Sequence, residues 1–275
     1  MIEKEMRDII SELRKLYEKR KELNVCYIEG EEKGEIAAVD GGSSILWSNG
    51  IKNIGVLRYG FVIYDDYKIK DYFVENKVVL TENIDPLRIE YEMEMVKKAS
   101  EKCDFILYDG ALVTPHKEIK EKIQDLESSV VGISKKTQVS FLEAGIPDTM
   151  VIKNPGKWYY KVDIDLKKYE WLLIGDVYIA KLHEQGRNFR IDVVNGGEEV
   201  FPKLAYFSKN PLCFGYPYPL LEAHRLVCMD DKKEAFKNVL RKIMFENGME
   251  KEYFDGIISG DKITGDFHTY IDKIV

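Results

Sequence analysis

Two short stretches of this chain end an apolar run in Asp-Gly: Ile36-Ala37-Ala38-Val39-Asp40-Gly41-Gly42-Ser43-Ser44 and Phe105-Ile106-Leu107-Tyr108-Asp109-Gly110-Ala111-Leu112. Each reads as a buried strand that delivers a carboxylate to its C-terminal edge. Glycine after the Asp admits a backbone, a phosphate or a metal where a Cβ would block it. Asp-Gly is also a common turn dipeptide, so one occurrence says little. Its recurrence after two apolar runs points to neighbouring strands sharing a divalent-metal site, because hard cations seek clustered oxygen ligands.

A third carboxylate is available from the helix expected between those strands, over about Pro86–Lys102, which offers Glu90, Glu92 and Glu94. Residues two apart on a helix point about 200° from each other, so these three cannot all face one site. Ile89, Met93, Val96 and Ala99 mark the buried stripe, with Glu92 on its shoulder and Glu90 the next candidate. Three clustered carboxylates raise each other's pKa values. One or two Mg²⁺ or Mn²⁺ ions relieve that repulsion and activate water for in-line attack on phosphorus. The chemistry expected is phosphodiester hydrolysis.

A further segment is Phe214-Gly215-Tyr216-Pro217-Tyr218-Pro219-Leu220-Leu221-Glu222-Ala223-His224. Its X-Pro units force an extended approach to a helix starting near Pro219. His224 then lies about one turn into that helix, suited to metal ligation or proton transfer, and Tyr216 just before it can reach a phosphate oxygen. His116, His183 and His268 have no comparable context.

The elements that must position these groups follow a recognisable order. An amphipathic N-terminal helix over about 3–24 carries Met6, Ile9, Ile10, Leu13, Leu16 and Tyr17 on one face. Strands follow at 35–39, 54–64 and 67–80, turned at Asp65-Asp66 into an antiparallel meander, then the acidic helix, then a strand at 105–108. Three such strands, a helix, and a strand beside the first open a ribonuclease H-like α/β fold, a mixed sheet flanked by helices. The remainder reads as helix (116–128), strand (129–134), helix (137–144) and an irregular aromatic stretch. Strands near 171–180 and 188–194 follow, with a helical C-terminal elaboration near 218–228 and 231–247. The expectation is one domain over 1–275: an N-terminal helix (1–25), a core (about 34–230) and a C-terminal extension (231–275).

With 275 residues, 45% hydrophobic and 12% aromatic, the chain is globular in type. Its charged opening, Met1-Ile2-Glu3-Lys4-Glu5, reads as helical and not as a signal peptide. No apolar run approaches the roughly 18 residues of a membrane span. Cys26, Cys103, Cys213 and Cys228 form no CxxC pair, which disfavours zinc and suggests a reducing, cytoplasmic setting. A net charge of −7 requires any DNA contact to use a local basic groove, for which Lys135, Lys136, Lys153 and Lys157 are candidates. Tyr159 and Tyr160 beside them are candidates for base stacking.

Taken together, these motifs resemble the NurA family of DNA-end-processing nucleases. The likeness rests on Val39-Asp40-Gly41-Gly42-Ser43, the acidic helix, Leu107-Tyr108-Asp109-Gly110-Ala111-Leu112 and Tyr216-Pro217-Tyr218-Pro219-Leu220 with His224, in that order. The resemblance implies Asp40, Glu92 and Asp109 as manganese ligands, with Tyr216 and His224 completing the site. It makes Lys135, after Gly132-Ile133-Ser134, a phosphate contact. It further implies homodimers that dock on a hexameric HerA-type ATPase and resect double-strand breaks for homologous recombination and DNA repair.

Two other readings compete. Asp40-Gly41-Gly42-Ser43-Ser44 also resembles the phosphate-binding hairpin of actin-like and sugar-kinase phosphotransferases, but Gly196-Gly197 is the only other glycine pair and no second such hairpin exists. A catalytically silent adaptor of a motor ATPase would have no need of every acidic candidate.

Overall fold

The computed structural model describes residues 2–137, 140, 142–143, 145–163 and 172–256. Its strands are β1 (Cys26–Tyr27), β2 (Glu35–Ser48), β3 (Asn53–Asp65), β4 (Lys68–Thr81), β5 (Phe105–Asp109), β6 (Ser129–Ser134), β7 (Trp158–Lys161), β8 (Asp176–Lys181) and β9 (Asn188–Val194). They form one mixed sheet in the order β1-β7-β8-β9-β6-β5-β2-β3-β4. The helices are α1 (Ile2–Glu18), α2 (Ile84–Ser100), α3 (Lys117–Gln124), α4 (Asp148–Val151), α5 (Val200–Phe207), α6 (Tyr218–Val227) and α7 (Lys233–Glu246), with a 3₁₀ turn at Pro211–Cys213. This is the ribonuclease H-like α/β architecture.

Burial follows the sequence pattern. Ile36 to Val39 in β2 and Ile106 and Leu107 in β5 are wholly buried, as continuous apolar runs in central strands must be. β4 closes one edge of the sheet and is mostly exposed, and Lys68, Lys70, Asp71, Glu75 and Lys77 discourage further strand pairing there. β5 and β6 run parallel, joined through α3, with Asp109 opposite Ile133. β6 and β9 are antiparallel, with Gly132 opposite Asp192. Asp66 and Tyr67 alone connect β3 to β4, a link short enough only for a hairpin.

The chain groups into two compact units. The first comprises Met1–Ala38, Val62–Asp71 and Val96–Glu222. One cluster of its core gathers Ile152, Trp158, Val177 and Ile179, with Leu23 and Val25 packed against it. The second comprises Val39–Phe61, Tyr72–Met95 and Ala223–Val275. Leu46, Val56 and Met229 form its core cluster, against which Phe236 and Leu240 of α7 pack.

Several boundaries differ from the sequence reading. β2 runs on past Asp40 to Ser48, because Gly41 and Gly42 leave room for flanking groups without breaking the strand. α1 ends at Glu18, and Lys21 instead bridges Ile152. The stretch expected to be irregular contains α4 and β7, and β7 pairs with the two-residue β1. α5 was not anticipated. Of the helix expected over 137–144, residues 138, 139, 141 and 144 lie outside the described residues, and 137, 140, 142 and 143 are not helical. His268 and the extension beyond 256 also lie outside the described residues. Among the described residues no helix is long and apolar enough to cross a membrane.

Candidate metal centre

Within the second unit, Asp40 and Glu92 are buried carboxylates at 4% and 0% exposure. Asp40 Oδ1 accepts a hydrogen bond from the Gly41 amide at 2.7 Å, and its Oδ2 lies 2.9 Å from His224 Nδ1. Two glycines make the arrangement feasible. A Cβ on Gly41 would fall 2.5 Å from Glu92 Oε1, and a Cβ on Gly42 would fall 2.7 Å from the Val227 carbonyl. The Asp-Gly-Gly sequence therefore seats α2, which carries Glu92, and the end of α6, which carries His224, against the strand that carries Asp40.

Glu92 is neutralised by Arg88 one helical turn earlier, whose guanidinium also reaches the Gly41 carbonyl at 3.4 Å. Arg88 was missed in the sequence reading, although an Arg and a Glu four apart on a helix are recognisable as a pair. Glu90 and Glu94 are exposed, so of the three helix acids only Glu92 points inward.

Within the first unit, Asp109 ends β5 with its side chain 10% exposed. The Tyr216 hydroxyl donates to Asp109 Oδ1 at 2.8 Å, and Lys135 Nζ lies 2.6 Å from Oδ2. Lys135 also sits 5.0 Å from the centre of the Tyr216 ring. Beyond Asp109, the Leu112 amide donates to Asp192 Oδ2 at 2.8 Å, and Arg190 donates to both Asp192 oxygens at 2.8 and 3.1 Å. Burial pushes the Asp192 carboxyl above its usual range despite Arg190. This pair, also unforeseen, ties β9 to the loop after Asp109.

The proposed basic and aromatic groove fares differently. The Tyr159 ring stacks on Phe201 at 4.2 Å, with the planes 2° apart, and its hydroxyl donates to Glu198. Tyr160 packs on the Trp158 cluster, and Lys157 pairs with Glu31. Intramolecular contacts thus occupy these residues. Lys136 and Lys153 are exposed.

The donor set of carboxylates and one imidazole fits a hard or borderline divalent ion such as Mn²⁺ or Mg²⁺ and not a thiolate-seeking metal. No protein-family model and no curated protein matches the sequence. Solved structures do match. The NurA nuclease from Sulfolobus solfataricus aligns with a TM-score of 0.66 at 16% identity, covering 88% of this chain and 95% of that one. A NurA structure with manganese aligns at 0.58 and 13% identity, covering 89% and 97%. Another, NurA bound to dAMP and manganese, aligns at 0.54 and 12%, covering 85% and 93%. The fold of this chain is similar to that of the NurA nucleases over nearly the whole length of both.

Proposed function

We propose that this protein is a metal-dependent DNA nuclease in which Asp40, Glu92, Asp109 and His224 hold one or two Mn²⁺ or Mg²⁺ ions. The observation that carries the reading is the buried Asp40 carboxylate, its Oδ2 2.9 Å from His224 Nδ1, with the buried Glu92 carboxylate closing against the adjoining Gly41. Burying charge costs several kcal/mol per ion unless an opposite charge offsets it; Arg88 meets Glu92, and a divalent ion would offset Asp40. A bound divalent ion would supply a water of lowered pKa and draw charge from the attacked phosphodiester. The chain's own groups do the rest. Tyr216 orients the Asp109 carboxylate, Lys135 offers a cation to the phosphate, and Asp40 fixes the His224 ring through Nδ1. Lys136 extends the DNA contact.

The manganese in NurA structures supports the metal assignment, and the dAMP in one of them supports a nucleic-acid substrate. By the same likeness the enzyme acts on DNA ends during break resection as an exonuclease and single-strand endonuclease, partnered by a HerA-type hexameric ATPase. A homodimer fits the apolar face of α1, where Ile2, Met6, Ile9, Ile10 and Leu13 are exposed.

The test is incubation of purified protein with end-labelled DNA and Mn²⁺, with EDTA and ATP arms. Metal-dependent shortening is the expected result. Intact DNA with ATP turnover would move the protein to the phosphotransferases, and neither activity would make it an adaptor. Addition of a HerA-type ATPase should raise duplex degradation only when ATP is present. Equal digestion with and without it would remove that partner.

A further inference from the structure

A cavity of about 290 Å³ opens among Lys135, Arg187, Phe189, Cys213, Phe214 and Tyr216. Ligand pockets run from about 300 to 1,000 Å³, so this one is small, with room for a single nucleobase and not a stacked pair. Two of its walls also hold Asp109: the Tyr216 hydroxyl and the Lys135 ammonium both contact that carboxylate. The cavity therefore begins where the reaction centre's partners end.

Its lining is aromatic with cations at two points. Phe189 and Tyr216 lie 5.5 Å apart, tilted by 56°. Lys135 stands over the Tyr216 ring, and the Arg187 guanidinium stands 5.8 Å from the centre of Phe214. Phe189 and Tyr216 are buried, so the face open to a planar ring is that of Phe214, and the exposed Lys135 and Arg187 offer cations to phosphates, as an unpaired nucleotide requires.

Phe214 is the telling residue. A phenylalanine at 62% exposure gains nothing from the core, and its φ of 51° is a conformation that bulky side chains rarely adopt. The end of the 3₁₀ turn sets it, with the Phe214 amide donating to the Pro211 carbonyl at 3.4 Å, and the surroundings hold it. The Arg187 amide donates to the Phe214 carbonyl at 2.9 Å, and Gly186 meets Gly215 so closely that a Cβ on either would lie 3.0 Å from the other's Cα. The left-handed conformation of Phe214 caps the 3₁₀ turn at Pro211–Cys213, a position glycine or asparagine would fill more readily, so the large exposed ring at the cavity mouth suits a binding role.

We propose that this cavity takes the unpaired base at the end of a DNA strand, with Phe214 stacking on it and Arg187 and Lys135 facing its phosphates. The proposal rests on the nuclease reading for the location of the phosphate at Lys135. It adds that the terminal base is itself recognised, so a paired end must fray before it enters.

Fluorescence anisotropy tests this on an internally labelled single strand, with Ca²⁺ replacing Mn²⁺ to hold the strand uncut. An abasic residue replaces the terminal nucleotide at each end in turn. The wild-type protein should bind one of these abasic strands about tenfold more weakly than the ordinary strand, the loss of one stacked base. Phe214→Gly removes the ring where glycine adopts the backbone freely. It should bind the ordinary strand about tenfold more weakly and lose nothing more on the abasic one, whereas Phe214→Trp should restore the discrimination. Equal wild-type affinity for ordinary and both abasic strands would overturn the proposal without any variant, as would Phe214→Gly weakening all strands alike. Cleavage of the same strands with Mn²⁺ separates the two readings. Shortening without base-dependent binding keeps the nuclease and discards the pocket, and base-dependent binding without shortening does the reverse.

Discussion

Five apolar side chains of α1 face solvent, with Ile2 at 68% and Ile9 at 64% exposure, while Asp40 and Glu92 are all but sealed from it. The two regions invert the usual partition of residues in opposite senses. An exposed apolar stripe is relieved by covering area, at about 25 cal/mol per Å². Buried carboxylates are relieved only by positive charge held in place. The contrast separates a surface suited to a second protein chain from a site suited to a cation, and each can be broken without touching the other.

The largest effect should come from the acids. Asp40→Asn or Asp109→Asn preserves shape and removes the charge of a proposed ligand, and cleavage of end-labelled DNA should fall about a thousandfold. Near-normal cleavage by either variant would remove that residue from the site. Next comes the charge beside Glu92. Arg88→Ala strips a cation from a carboxylate at 0% exposure and should lower unfolding free energy by about 3–5 kcal/mol in urea. Added Mn²⁺ should raise the melting temperature of this variant more than that of the wild type, because the ion replaces the missing charge.

Gly41→Ala is a milder intrusion. Its Cβ would lie 2.5 Å from Glu92 Oε1, so overpacking should cost about 1–3 kcal/mol, and cleavage should drop with the displaced carboxylate. On the other side of the comparison, Ile9→Lys in α1 should change stability by less than about 0.5 kcal/mol while abolishing the proposed dimer, read as a monomer mass beside a dimeric wild type in light scattering. An unchanged dimer would clear α1 of that role.

The smallest effect concerns pH. Burial alone would raise the Glu31 carboxyl, but hydrogen bonds from Lys209 and Lys157 outweigh it and hold its pKa below the usual 4.5. A depressed carboxylate pKa contributes stability that is present above the unfolded value and lost as pH falls through the folded one. Glu31→Gln should therefore narrow the difference in urea midpoint between about pH 6 and about pH 3. A difference equal to that of the wild type would deny Glu31 a part in acid sensitivity.

Much of the scaffold was legible because it is written in local periodicity. The β2-β3-β4 run, α2 and β5 follow from alternating or continuous apolar residues and their breakers. Helical register favoured Glu92 and left Glu90 as the alternative; burial separates them, with Glu92 at 0% exposure and Glu90 exposed. The pairing of β1 with β7 was not legible, since two residues at 26–27 carry no pattern and their partners lie over 130 positions away. Nor was the loss of Tyr159 to Phe201 and Glu198, because an aromatic beside lysines has the same local signature whether it faces solvent or a neighbouring helix.

By itself, then, the sequence determined the run β2-β3-β4, α2 and β5 and the placing of Asp40 and Asp109 at or near the ends of apolar strand runs. Those depend on residue type and spacing within one element. Tertiary structure alone decided that Glu92 closes against Gly41 of β2, that Asp192 of β9 holds the Leu112 amide beyond Asp109, and that Phe214 meets Arg187 at a cavity mouth. Each is a contact between residues far apart in sequence whose energy depends on distance and burial, and none is encoded in any single stretch of chain.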